Sequence, residues 1–169
     1  MSLTRHKCFI SYYHDDDQDE VDEFVRTFDE ERDVFIKRGV GISMADDIIN
    51  SDDVNYVMRR IKELYLQDST VTIVLMGKCT WTRRYVDWEL QSSLRHGETV
   101  TPNGLLGIKL PSFTKGTYFP NRLNSNLLKK DHKEGEDCYA RWIDYPLRKD
   151  ILKNAIEKAF NARTTKAHL

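Results

Sequence analysis

The chain has 169 residues, 40% of them apolar and 31% charged, which fits one soluble domain with a core of its own and excludes a disordered tail. Lys plus Arg number 26 and Asp plus Glu 27, a net charge of -1, so there is no electrostatic footprint for nucleic acid or an anionic membrane. Cys8, Cys79 and Cys138 are odd in number and share no CxxC spacing, which disfavours a disulfide framework or a zinc site and leads to the expectation of a reducing, cytoplasmic setting.

Cys8 to Tyr13 is short, apolar and aromatic and reads as a first strand. The acidic run His14 to Glu20 opens a helix, with Asp15 or Asp16 as its expected cap, and Val21, Phe24, Val25 and Phe28 recur on one face. Asp33 to Ile36 reads as a second strand, followed by a loop containing Gly39, Gly41 and Met44 to Asp47. Asp52 is the expected cap of a helix whose inner face is Val54, Val57, Ile61 and Leu64. Val71 to Met76 is the clearest strand, almost continuously apolar as in a strand covered on both faces. It is also the longest apolar stretch, far short of the ~20 residues of a membrane span, and no signal peptide is expected. Thr80 is the expected cap of a helix reaching Leu94, and Leu105 to Leu110 is a fourth strand. Pro111, Gly116, Pro120 and the charged run Lys129 to Asp137 predict an irregular excursion over 111–140. Tyr139 to Asp144 is the expected fifth, edge strand, and Pro146 precedes a last helix with Leu147, Ile151, Ala155 and Ala159 inside.

Strand and helix alternate from end to end, which predicts an α/β three-layer sandwich with helices on both faces of a mostly parallel sheet. Five strands favour the flavodoxin-like order 2-1-3-4-5, in a single domain over 1–169. Ligands of such sheets bind where strands one and three send their connections in opposite directions. That crevice is expected to hold Ser11 to Asp15 and Gly77 to Tyr85.

Several chemistries are absent from the sequence. There is no GxGxxG after the first strand, no phosphate loop, no GxSxG elbow and no HExxH, and the five histidines show no ligand spacing. Asp15, Asp16, Asp17, Asp19 and Glu20 could hold a divalent metal or resemble a phospho-acceptor cluster. Their ordinary reading is a helix start rich in dipole-compatible acids, and no Asp follows the third strand as a receiver domain would require. No metal site is expected. In the segment Gly77 to Leu90, helical spacing puts Val86, Leu90 and Leu94 on the sheet-facing stripe. Glu89 then lies roughly 90° off that stripe, one turn beyond Tyr85. By itself such a residue reads as a surface glutamate.

Phe9-Ile10-Ser11-Tyr12 resembles the first box of TIR domains, and Tyr85-Val86-Asp87-Trp88-Glu89 resembles the TIR helix that carries an aromatic residue four positions before a catalytic Glu. With the strand Thr72 to Met76, the chain is similar to the TIR-like proteins of the bacterial Thoeris antiphage system. Two departures are that Tyr85 stands where Trp is usual and that no Arg follows the first box. The resemblance implies NAD+ as substrate, with no further cofactor. An NAD+ nucleosidase and ADP-ribosyl cyclase would break the nicotinamide–ribose bond and close ADP-ribose into a cyclic signal for a separate effector protein. It also implies Glu89 as the catalytic residue, holding ribose hydroxyls and stabilising the growing sugar cation. Ser11, Tyr12, Tyr13, His14 and Tyr85 would bind substrate, and the loop from Gly39 to Asn50 would cover the cleft or mediate assembly. Two other readings stand beside the enzyme: a non-catalytic TIR-like scaffold that self-associates through its surfaces, and a nucleotide sensor without turnover. Trp88, off the apolar stripe, is expected to pack under the 111–140 excursion or in a self-association surface.

Overall fold

The computed structural model describes residues 6–28, 35–40, 51–62, 66, 69–82, 84–94, 102–114, 117–126 and 139–165, with backbone alone at 14–16, 35–40, 58, 84–85, 124–125 and 164–165. In chain order the elements are β1 (His6–Ser11), α1 (His14–Phe28), β2 (Phe35–Val40), α2 (Val54–Ile61) and β3 (Val71–Met76). A 3-10 turn (Thr80–Thr82) leads into α3 (Arg84–Leu94), followed by β4 (Gly104–Lys109), α4 (Asn121–Ser125), β5 (Arg141–Ile143) and α5 (Lys149–Thr165). The sheet order is β2-β1-β3-β4-β5, and every pairing is parallel, with Cys8 opposite Val71 and Val71 opposite Gly104.

Side-chain parity along the strands divides the core in two. Cys8 and Ile10 of β1, with Val71, Ile73 and Leu75 of β3, face α1 and α5, whose Val21, Phe24, Phe28, Leu152, Ala155, Ile156 and Ala159 complete that layer. Val74 and Met76 point the other way, onto Val86 and Leu90 of α3 and Leu123 of α4. All six β3 residues are buried, because a central strand with helices on both faces leaves neither set of side chains in water. Close contact between α5 and the sheet requires the absence of a side chain at Gly104, where a Cβ would run into the Ala159 carbonyl.

Several local expectations are corrected. α1 begins at His14, one residue after Tyr13, whose carbonyl accepts the Asp17 N–H, so Asp15 and Asp16 sit in the first turn and not at the cap. The second strand runs Phe35–Val40 and includes Gly39. The cap of α2 is Asp53, whose Oδ1 accepts the N–H groups of Asn55 and Tyr56 at 3.0 and 3.2 Å. Val54 is 59% exposed while Val57 and Ile61 are buried, since Val54 is the first helical residue and turns to solvent. Leu64 lies outside the described residues. Leu147 is 91% exposed, because α5 starts only at Lys149, and its inner stripe is Leu152, Ala155, Ile156, Ala159 and Ala162. Within the predicted excursion the described part contains the short helix α4; 127–138, with the charged run and Cys138, lies outside the described residues.

Candidate functional site

Ser11 is the last residue of β1. Parity turns its side chain, like that of Phe9, away from the α1 layer and toward α3. Its hydroxyl donates to Glu89 Oε1 at 2.8 Å. Glu89 is only 2% exposed, so the reading of this position as a surface glutamate is corrected. The inner face of α3 is wider than its apolar stripe. Val86, Glu89, Leu90 and Ser93 follow the i, i+3, i+4, i+7 pattern of one buried helical face, and all four are buried. Each polar member meets a polar group of the sheet: Glu89 meets Ser11, and Ser93 Oγ lies 2.7 Å from Thr72 Oγ1 while donating to the Glu89 carbonyl at 2.7 Å. A buried hydrogen-bonding pair of this kind fixes the rotation of the helix as well as its depth.

Burial pushes the Glu89 carboxyl up to about 8, and the Ser11 hydrogen bond opposes this only in part. At neutral pH the acid therefore holds its proton. A cation placed beside it would favour the carboxylate, since an opposite charge within a few ångströms stabilises the ionised form.

The turn that launches α3 is held by Asp17, Gly77 and Thr80 in roles other than those expected of them. Asp17, from the acidic run, is 2% exposed. Its Oδ2 accepts the Thr80 hydroxyl at 3.2 Å, and Thr80 Oγ1 accepts the Gly77 N–H at 2.8 Å. Thr80 therefore bonds back to the end of β3 and does not cap α3 as expected. Gly77 leaves space for this lock, because a Cβ there would collide with the Asp17 carboxylate. The available signal was a glycine directly after the central strand with a threonine three residues on, facing an acid at a neighbouring helix start. On the outer side, Arg122 Nε of α4 pairs with Asp87 of α3 at 2.8 Å.

The remaining sequence candidates fall in different places. Tyr12 packs in the core on the α1 side and its hydroxyl donates to Gln18 Oε1 at 2.6 Å, so its ring is part of that packing and not of an open wall. Tyr13 is half-buried and supplies the carbonyl that starts α1. His14 begins α1 and Tyr85 lies in the first turn of α3; their side chains lie outside the described residues, as does the segment 41–50 of the expected covering loop. Trp88 is half-buried. Among the described residues no cluster of three or more His, Cys, Asp or Glu could hold a metal ion.

The family model for the TIR-like domain of Thoeris protein ThsB matches residues 9–115, which is more than half of the chain. The chain belongs to the ThsB TIR-like family. Comparison with curated proteins finds no match. The region matched by the ThsB TIR-like model contains Ser11, Asp17, Gly77, Thr80 and Glu89, so the whole buried constellation lies inside it. β5 and α5 lie beyond it. Membership in this Thoeris family supports a role in antiphage signalling. No helix among the described residues of this ThsB-like chain is long and apolar enough to cross a membrane.

Proposed function

We propose that the chain, as one cytoplasmic TIR-like domain, consumes NAD+: it cleaves the nicotinamide–ribose bond and closes ADP-ribose into a cyclic nucleotide that acts on a separate effector. The observation that carries this reading is the Glu89 carboxyl, buried at the carboxyl end of β1 and hydrogen-bonded to Ser11. A desolvated acid at the point where an α/β sheet reverses its connections is a frequent mark of a reaction site.

In the proposed reaction the C–N glycosidic bond breaks and its electron pair goes to the nicotinamide nitrogen, cancelling the charge on the leaving group. C1′ becomes electron-poor, and the Glu89 carboxylate stabilises it. A nucleophilic atom of the same ADP-ribose then attacks C1′ and releases its proton, so one NAD+ gives nicotinamide, one cyclic product and one proton. The raised acidity range of Glu89 suits this sequence. At neutral pH the buried acid is protonated, and the positive nicotinamide ring draws it into its ionised, catalytic form. Ser11 holds one carboxyl oxygen and leaves the other for the ribose.

The test is incubation of purified protein with NAD+, with the Thoeris trigger present and absent, and product identification by mass. Glu89→Gln keeps the shape and the Ser11 hydrogen bond but not the charge, and a loss of about 10²–10³ in rate is expected. Equal turnover by wild type and Glu89→Gln at matched folding would overturn the assignment. Absence of turnover under both conditions would favour a scaffold that works by assembly.

A further inference from the structure

Beyond the carboxyl ends of β3 and β4 lies a concavity about 490 Å³ in volume, a size within the range of small-molecule sites. Trp81, Phe113, Tyr118 and Phe119 line it, and among the described residues that line it Lys109 is the charged one. Neither Glu89 nor Ser11 lines it. Trp81 comes from the 3-10 turn after β3, and Tyr118 from the segment after β4. Their rings meet edge to face with centroids 5.0 Å apart, yet the two residues are 42% and 64% exposed. Two large aromatic rings from separate segments, adjacent and open to solvent at a pocket mouth, form a ready stacking surface.

Lys109 ends β4. Its ammonium lies 4.3 Å from the Trp142 ring centroid, 5.1 Å from Phe113 and 5.7 Å from Phe119. The carboxylate of Asp144 is 4.0 Å away and mostly in water, a distance at the outer edge of ion pairing. The charge is therefore held in place chiefly by ring faces. Such faces accept N–H donors only weakly, so the ammonium keeps donors for an incoming anion. Thr117 and Asn121 belong to the same wall.

We propose that this pocket takes the adenosine phosphate moiety of a nucleotide, with the purine stacked on the Trp81 ring and edge-on to Tyr118, and a phosphate on Lys109. The shared chemistry has two sources, a free adenine nucleotide or the adenosine end of a dinucleotide. The proposal stands on the pocket's own residues and does not depend on Glu89 being catalytic.

The test is calorimetric titration of the whole chain with AMP, adenosine and ribose 5-phosphate. AMP is expected to bind more tightly than either fragment. Trp81→Ala should weaken AMP by roughly five- to hundredfold, the usual range for loss of one base–aromatic stack. Lys109→Met, which keeps an unbranched side chain between the rings, should weaken AMP and leave adenosine unchanged. Circular dichroism of both variants checks that the fold persists. Displacement of AMP by NAD+ in the Glu89→Gln chain assigns the pocket to the dinucleotide's adenosine end, and failure of NAD+ to displace it assigns the pocket to a free nucleotide. No AMP binding by the wild type, or AMP binding unchanged in both pocket variants, overturns the proposal.

Discussion

Removing the ionisable group at position 89 should change how the stability of the fold depends on pH. Glu89 titrates at about 8 in the fold against an ordinary value of 4.5. Between those values the unfolded chain has released this proton and the folded chain still holds it, so raising the pH pulls the equilibrium toward unfolding. The slope is about 1.4 kcal/mol per pH unit for one proton. Across the window the cost reaches a few kcal/mol, levelling off above about pH 8, where the folded acid also ionises. Glu89→Gln carries no such proton and keeps an oxygen to accept from Ser11. The variant should match the wild type near pH 5 and become the more stable of the two as the pH approaches 8. For a chain of this length a few kcal/mol corresponds to a gain of about 5–10 °C in Tm. Other groups titrate equally in both proteins and cancel in the difference. The assay is thermal unfolding by circular dichroism at four pH values from 5 to 8. Parallel Tm curves for the two proteins would refute the reasoning, because they would mean that the Glu89 carboxyl ionises in the fold at its ordinary value.

Gly77→Ala should destabilise the chain by about 2–4 kcal/mol in urea unfolding, since the new Cβ collides with the Asp17 carboxylate; Gly77→Ala with Asp17→Ala should cost less than the two single changes summed. Ser11→Ala removes the hydrogen bond that favours the Glu89 carboxylate, so the rising limb of kcat/KM for NAD+ against pH should move to higher pH than in the wild type, and an unmoved limb would detach Ser11 from the titrating group.

β3 could be read directly from six consecutive residues, because a strand buried on both faces needs no alternation and Val71 to Met76 has none. The inner faces of α1 and the position of Glu89 on a helix beyond that strand followed from 3.6-residue spacing. The depth of Glu89 did not. A carboxylate on a helix is ordinarily solvated, and only the arrival of Ser11 from a strand 78 residues away makes its burial tolerable. Asp17 was hidden for the same reason. Its neighbours in sequence are acids suited to a helix start, whereas Thr80, which donates to it, and Gly77, which leaves it room, are 63 and 60 positions further along the chain.

By itself the sequence determined the alternation of strands and helices, the parallel α/β class, the central strand and the TIR-like motifs, because each depends on periodicity and residue type within a short window. Tertiary structure alone decided that Glu89 is a buried acid paired with Ser11, that Tyr12 faces the α1 core, that Asp17 and Thr80 lock the turn before α3, and that Trp81, Lys109 and Tyr118 surround one pocket. Those outcomes depend on which strand faces point at which helices. That is fixed only when the sheet assembles and residues distant in sequence come within hydrogen-bonding or stacking distance.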